Sequence, residues 1–213
     1  KMSIIKGLHA SLRAQQVKRV MKKKGYAFFE SGAFNVNIVG IRASEKKTNV
    51  VDDTMLLIYK NKKTAWEVIS SVITTDPGEK YLVNPINDKG TAILVPNQYR
   101  GVYRVDIHAR NNSRFAHEAL CQRGGKLKVW RDNDRDKVLD HVPESIDEEW
   151  FGVNIHRSKS SGEADYVGSY SAGCQVYKNS TDFKLFMDVV KRSAKLYGNS
   201  FSYTLLDEQD FED

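Results

Sequence analysis

Apolar positions recur at helical spacing near both ends of the chain and at strand spacing between them. Residues 3–24 carry Ile4, Ile5, Leu8, Leu12, Val20 and Met21 close to one helical face, with cationic side chains in between. Gly25 stands where a C-cap would stop that helix. From Tyr26 onward the pattern predicts strands, at 34–42, 54–59 and 65–74, the last two joined by a hairpin turn at Asn61-Lys62-Lys63. Asp76-Pro77-Gly78 marks a turn. Short strands are expected at 81–83, 92–95, 103–108, 118–122 and 127–131, with Gly124-Gly125 turning between the last two. An apolar run, Trp150 to Ile155, ends on His156, and a polar loop leads to Ser169–Tyr177. A second helix follows, capped by Ser180 or Thr181. Phe183, Phe186, Met187, Val190 and Ala194 form its apolar face, and Gly198 ends it. Phe201–Leu206 reads as a closing strand. The acidic tail Asp207–Asp213 is either loose or rests on the basic N-terminal segment.

The 213 residues show no repeat and no linker that demands a split. The expected architecture is mainly β: a basic amphipathic helix over 1–25, then one strand-rich domain over 26–213 with a C-terminal helix. A hydrophobic share of 40% suits a packed core. No apolar run approaches the roughly eighteen residues of a membrane span, and no signal-peptide pattern opens the chain. Cys121, in Glu118-Ala119-Leu120-Cys121, reads as free and buried.

Charge changes the picture at one end. Residues 1–25 hold eight cations and no acid, more than the net +6, so the remainder is slightly acidic. Such a segment can lie on an anionic cell wall or membrane surface, or simply form a solvated helix face. A nucleic-acid role is disfavoured, because no aromatic residue interleaves with the lysines of residues 1–24.

Three groups of residues invite a chemical reading. Asp132-Asn133-Asp134-Arg135-Asp136 spaces carboxylates like the start of a calcium loop. The loop's glycine and later glutamate are missing, and Arg131, Arg135 and Lys137 would repel a cation, so it reads as a surface turn. His156 and Cys174 end and begin two expected strands across one loop, which brings them to one sheet end. A histidine there can take the thiol proton and return it to a leaving group. Gly173 lets a substrate carbonyl approach the main chain, and the amides of Gly173 and Cys174 can face an oxyanion. By residue type alone, a Cys-Gly pair in a strand is more often core. A zinc site lacks its four ligands, so no metal and no cofactor is expected. His108 is a third ligand, a second catalytic histidine or, as residue type favours, a structural group lining the cleft.

The segment His156, fourteen residues, then Ser171-Ala172-Gly173-Cys174 resembles the motif of the L,D-transpeptidase catalytic domain (YkuD-type). The resemblance covers mainly residues 150–177. It implies a β-sandwich of mixed sheets, with Cys174 as nucleophile and His156 as base. It also implies that the carbonyl of Arg157 orients the imidazole and that the amides of Gly173 and Cys174 form the oxyanion hole. Tyr170 and Ser171 would line the site, and His108 and Gln175 are placed with them on the substrate side. Ala172 replaces the family's second histidine, and Gln175-Val176 inverts its usual apolar-polar pair. The Ser-Ala-Gly-Cys-Gln form is similar to a branch associated with bacteriophage-encoded chains. That branch implies attack on peptidoglycan stem peptides through a thioester, by a lysin made in the host cytoplasm or carried in the phage particle. A non-catalytic phage structural or wall-binding protein on the same fold is the alternative.

Overall fold

The computed structural model describes residues 1–212; Asp213, the last residue of the acidic tail, lies outside them. Strands β1 (Ser3–Ile5), β2 (Asn37–Arg42), β3 (Asp53–Lys60) and β4 (Trp66–Thr74) come first, with helix α1 (Gly7–Lys23) between β1 and β2. Helix α2 (Glu79–Val83) precedes β5 (Thr91–Leu94), β6 (Gln98–His108), β7 (His117–Gln122), β8 (Leu127–Asp132) and β9 (Asp147–Glu149). The last elements are β10 (Ile155–Arg157), β11 (Gln175–Tyr177), α3 (Ser180–Tyr197) and β12 (Phe201–Asp207).

The chain is mainly β, with a large mixed sheet. Nine strands run β1-β4-β11-β10-β7-β6-β12-β2-β3. β3 also pairs with β4 from Asp53↔Ile73 to Lys60↔Trp66, so eight of the nine close into a ring. β10–β11 and β12–β2 are parallel and the other pairs antiparallel. Beside this closed sheet the pairing gives a small antiparallel one, β5-β8-β9.

Alternation along the strands fills both faces of the ring. Ile38, Met55, Leu57 and Leu205 point to the main core, joined by Phe183, Phe186 and Val190 of α3. Their neighbours Val39, Leu56, Ile58 and Leu206 point outward and are covered by Ala10, Ala14, Val17 and Met21 of α1. Two-sided burial is why 54–59 reads as a continuous apolar run. Each large side chain so buried contributes roughly 1.5–3 kcal/mol.

Several local expectations are corrected. The basic helix starts at Gly7, because Ser3–Ile5 pairs with Val68–Ser70 as a short edge strand. Residues 81–83 belong to a helical turn that follows Gly78 and buries Leu82, not to a strand. The cap of α3 is Asn179, whose side chain accepts from the amides of Thr181 and Asp182. The tail does rest on α1: Lys24 pairs with Asp210 at 2.8 Å, and Arg13 lies over the ring of Phe211.

Candidate active site

β10 and β11 run side by side in register Ile155↔Gln175, His156↔Val176. The Gln175 amide donates to the Asn154 carbonyl at 2.9 Å, one step earlier, which brings Cys174 beside Asn154. His156 therefore sits in β10 and Cys174 immediately before the adjacent β11, two steps apart in register.

Backbone groups fix the imidazole of His156. Its Nδ1–H donates to the carbonyl of Arg157 at 2.7 Å, which leaves Nε2 with the lone pair. The Arg157 amide in turn donates to Nε2 of His117 at 3.4 Å, and Nδ1–H of His117 donates to the Phe115 carbonyl. His108 stacks on His156 with ring centroids 3.8 Å apart. Its Nδ1 accepts from Asn154 Nδ2 at 3.0 Å, so its own proton sits on Nε2. Burial lowers the pKa of His156 well below the usual histidine value, and His108 adds to that. Burial takes His108 down to about 4, and it lowers His117 as well. Three neutral rings therefore share this end of the sheet.

Cys174 has different company. Its sulfur accepts from the Asn154 amide at 3.4 Å and lies 3.5 Å from the Gly152 carbonyl. Burial pushes the thiol up to about 11. Among the described residues no hydrogen bond joins it to His156. The turn before it is held by Ser171, whose hydroxyl donates to the Cys174 carbonyl at 2.7 Å and accepts from the Gly173 amide at 3.1 Å. Gly173 has φ +129°, and a Cβ there would meet the Ala92 carbonyl at 2.6 Å. Its lack of a side chain is thus required by the approach of β5.

No family model matches the chain, no curated protein matches it, and no solved structure matches it. The geometry alone therefore carries the reading.

Two clefts open at this end. One, of about 810 Å³, takes in His108, His117, His156 and Tyr170, with Lys80, Arg114, Arg157 and Lys159 around them and no carboxylate. The other, of about 320 Å³, takes in Cys174, Ala172, Trp150 and Phe151. The structure thus gathers His156, Arg157, His108 and Tyr170 on one cleft and Cys174 on the next. Ser171 and Gln175, expected on the substrate side, turn inward instead. Ser171 is fully buried in its turn, and Gln175 is fully buried with its amide between the Tyr203 hydroxyl and the Thr75 carbonyl. The amide of Gly173 is already engaged by Ser171, which leaves the Cys174 amide as the donor for an oxyanion.

His117 and Asn154 were missed in the sequence. His117 lies directly opposite His108 across the β6–β7 hairpin, so the register of that hairpin was the available signal. Asn154 links the two halves of the site: its amide meets the thiol, its Nδ2 meets His108, and its Oδ1 accepts from the Gln122 amide at 2.9 Å.

Proposed function

We propose that this chain is a cysteine-dependent peptidoglycan stem-peptide hydrolase or transpeptidase of L,D-transpeptidase type, phage-encoded and acting on the host wall. The observation that carries the reading is the imidazole of His156. It is pinned through Nδ1 to the carbonyl of Arg157, with Nε2 left as an acceptor, on the strand parallel to β11, which Cys174 immediately precedes.

In this reading the neutral pair works by general base catalysis, not as a preformed ion pair. The sulfur leaves its contacts with Asn154 and Gly152 and turns to Nε2, directly or across one water. The thiol proton passes to Nε2 as sulfur bonds to the amide carbon, and the oxyanion takes the Cys174 amide. The C–N bond then breaks and the leaving amine receives the proton. Water or a second amine opens the thioester and restores the thiol. The carboxylate-free cationic cleft suits a peptide rich in carboxylates. The exposed cations of α1, among them Arg19, Lys22 and Lys23, suit an anionic wall or membrane surface.

The test is digestion of purified sacculi with products read by mass. The wild type releases new muropeptide ends, and Cys174→Ala or His156→Ala lowers release at least ~100-fold with the fold intact. Full activity in either variant would sink the assignment. The second reading, a non-catalytic wall-binding or structural phage protein, is favoured by the raised thiol pKa and its lack of a bond to His156. Sacculus binding by the wild type without any released product decides for it.

A further inference from the structure

We propose that the turn leaving β8 is a calcium site, in which Asp132, Asp134 and Asp140 bring carboxylate oxygens to one hard divalent cation. An oxygen from each lies within 4.8 Å of the others. The turn's own hydrogen bonds set this up: the Asp136 amide donates to Asp134 at 3.1 Å, and the Val138 amide to Asp136 at 2.6 Å. The Asp140 amide donates to Asp132 Oδ2 at 3.0 Å, which folds Asp140 back over Asp132. Asp136 lies outside this group, and Asp140, eight residues after Asp132, supplies the third carboxylate.

A convergence of acids on a surface turn is common and means little alone. Asp132 is the exception within this one. It is 1% exposed, its Oδ1 is buried without any donor, and no cationic side chain pairs with it among the described residues. A buried carboxylate with a bare oxygen and no counter-ion is costly, and its neighbours here are two more carboxylates. A bound cation relieves that strain.

Two of the three basic residues that argued against a metal are directed elsewhere, and Arg135 lies on the turn itself. Arg131 donates to the Gly90 carbonyl, pairs with Asp147 at 3.3 Å and covers the Phe151 ring. Lys137 pairs with Glu79 at 2.8 Å. All-oxygen donors with a carboxylate majority suit calcium over softer metals. A half-open turn, completed by water, suits affinity in the ~10⁻⁴–10⁻³ M range. Bound there, the ion ties β8 to the turn that Lys137 joins to α2 and, through its carbonyl, to the Thr48 hydroxyl.

The full chain, stripped with EDTA and dialysed, is titrated with CaCl₂ by calorimetry, and its melting is followed with calcium or EDTA. Terbium emission excited through Trp130, two residues before Asp132, gives a second readout. One saturable calcium per chain and a higher melting midpoint are expected, with a smaller midpoint rise in equal MgCl₂. Asp134→Asn and Asp140→Asn, at more exposed positions, should weaken binding tenfold or more while melting in EDTA stays at the wild-type value. No heat and no midpoint rise at 10 mM calcium, roughly ten times the weakest expected constant, overturns the site. So does undiminished binding in Asp134→Asn. Neither result depends on the peptidase reading.

Discussion

The imidazole of His108 lies nearly flat on that of His156, 3.8 Å between centroids and 16° from parallel. Two stacked rings in a buried place cannot both carry charge, and each is held in a neutral form by a separate partner, Asn154 for one and the Arg157 carbonyl for the other. His108 also supplies an Nε2–H donor beside the candidate base, from a strand far in sequence from the motif. Ala172 offers no imidazole beside Gly173.

Acid should weaken the fold through this stack. A histidine normally titrates near 6.5, and His108 and His156 are both lowered from that value in the fold. Below about 6.5 the unfolded chain binds protons that the folded chain refuses, so their stability contribution is present above that pH and is lost as pH falls toward the folded values. Asp52, Asp76 and Asp132, raised to about 6, act with the opposite sign. The comparison that isolates the histidines is wild type against His108→Phe. The melting midpoint of the variant should fall less between pH 7 and pH 5, and an equally steep fall would contradict the stack's role.

The thiol of Cys174 should behave as unactivated at rest. With its pKa near 11, alkylation by iodoacetamide is expected to rise about tenfold per pH unit from 7 to 10. Cys121, fully buried, should label more slowly in the folded protein. A rate for Cys174 already level at pH 7 would reveal a standing thiolate and refute the neutral pair.

Gly173→Ala should destabilise by roughly 1–3 kcal/mol, the usual cost of a side chain in a sparsely populated backbone region. The contact with the Ala92 carbonyl adds to that, since β5 must shift to admit a methyl group. Urea midpoints at constant slope measure it, and an unchanged midpoint would mean the turn relaxes freely.

The two faces of α1 should respond differently. Met21 is 1% exposed against the outside of the ring, so Met21→Ala is expected to cost about 2–5 kcal/mol. Leu8 is 71% exposed, and Leu8→Ser should stay within about 0.5 kcal/mol. If both changes were silent in thermal melts, the helix would not be an integral part of the fold.

Elements with a strong local period were legible. The apolar face of α3 and the strands β3, β4 and β12 lie within a residue or two of their expected bounds, because alternation and helical spacing are written locally. Closure of the ring was not: the β3–β4 hairpin is local, but the pairing of β4 with β11 and of β12 with β2 and β6 depends on contacts distant in sequence. In the site, His156 and Cys174 stood out by residue type and spacing. Ser171 and Gln175 misled because adjacency to a cysteine says nothing about which way a side chain turns. Asn154 and His117 act through backbone and ring contacts that only the register creates. Asp140 was hidden for the same reason, since a turn must fold before it meets Asp132.

Every strand of the eight-membered ring already has a hydrogen-bonded neighbour on both sides. Where they are paired, these strands offer no open rail of amides and carbonyls on which a foreign extended peptide could dock as an added strand. Under the proposed function, side chains and loop amides at the clefts would grip a peptide. Selectivity then resides in segments such as 109–116 and 157–173, which can vary in length and sequence while the ring beneath them stays the same.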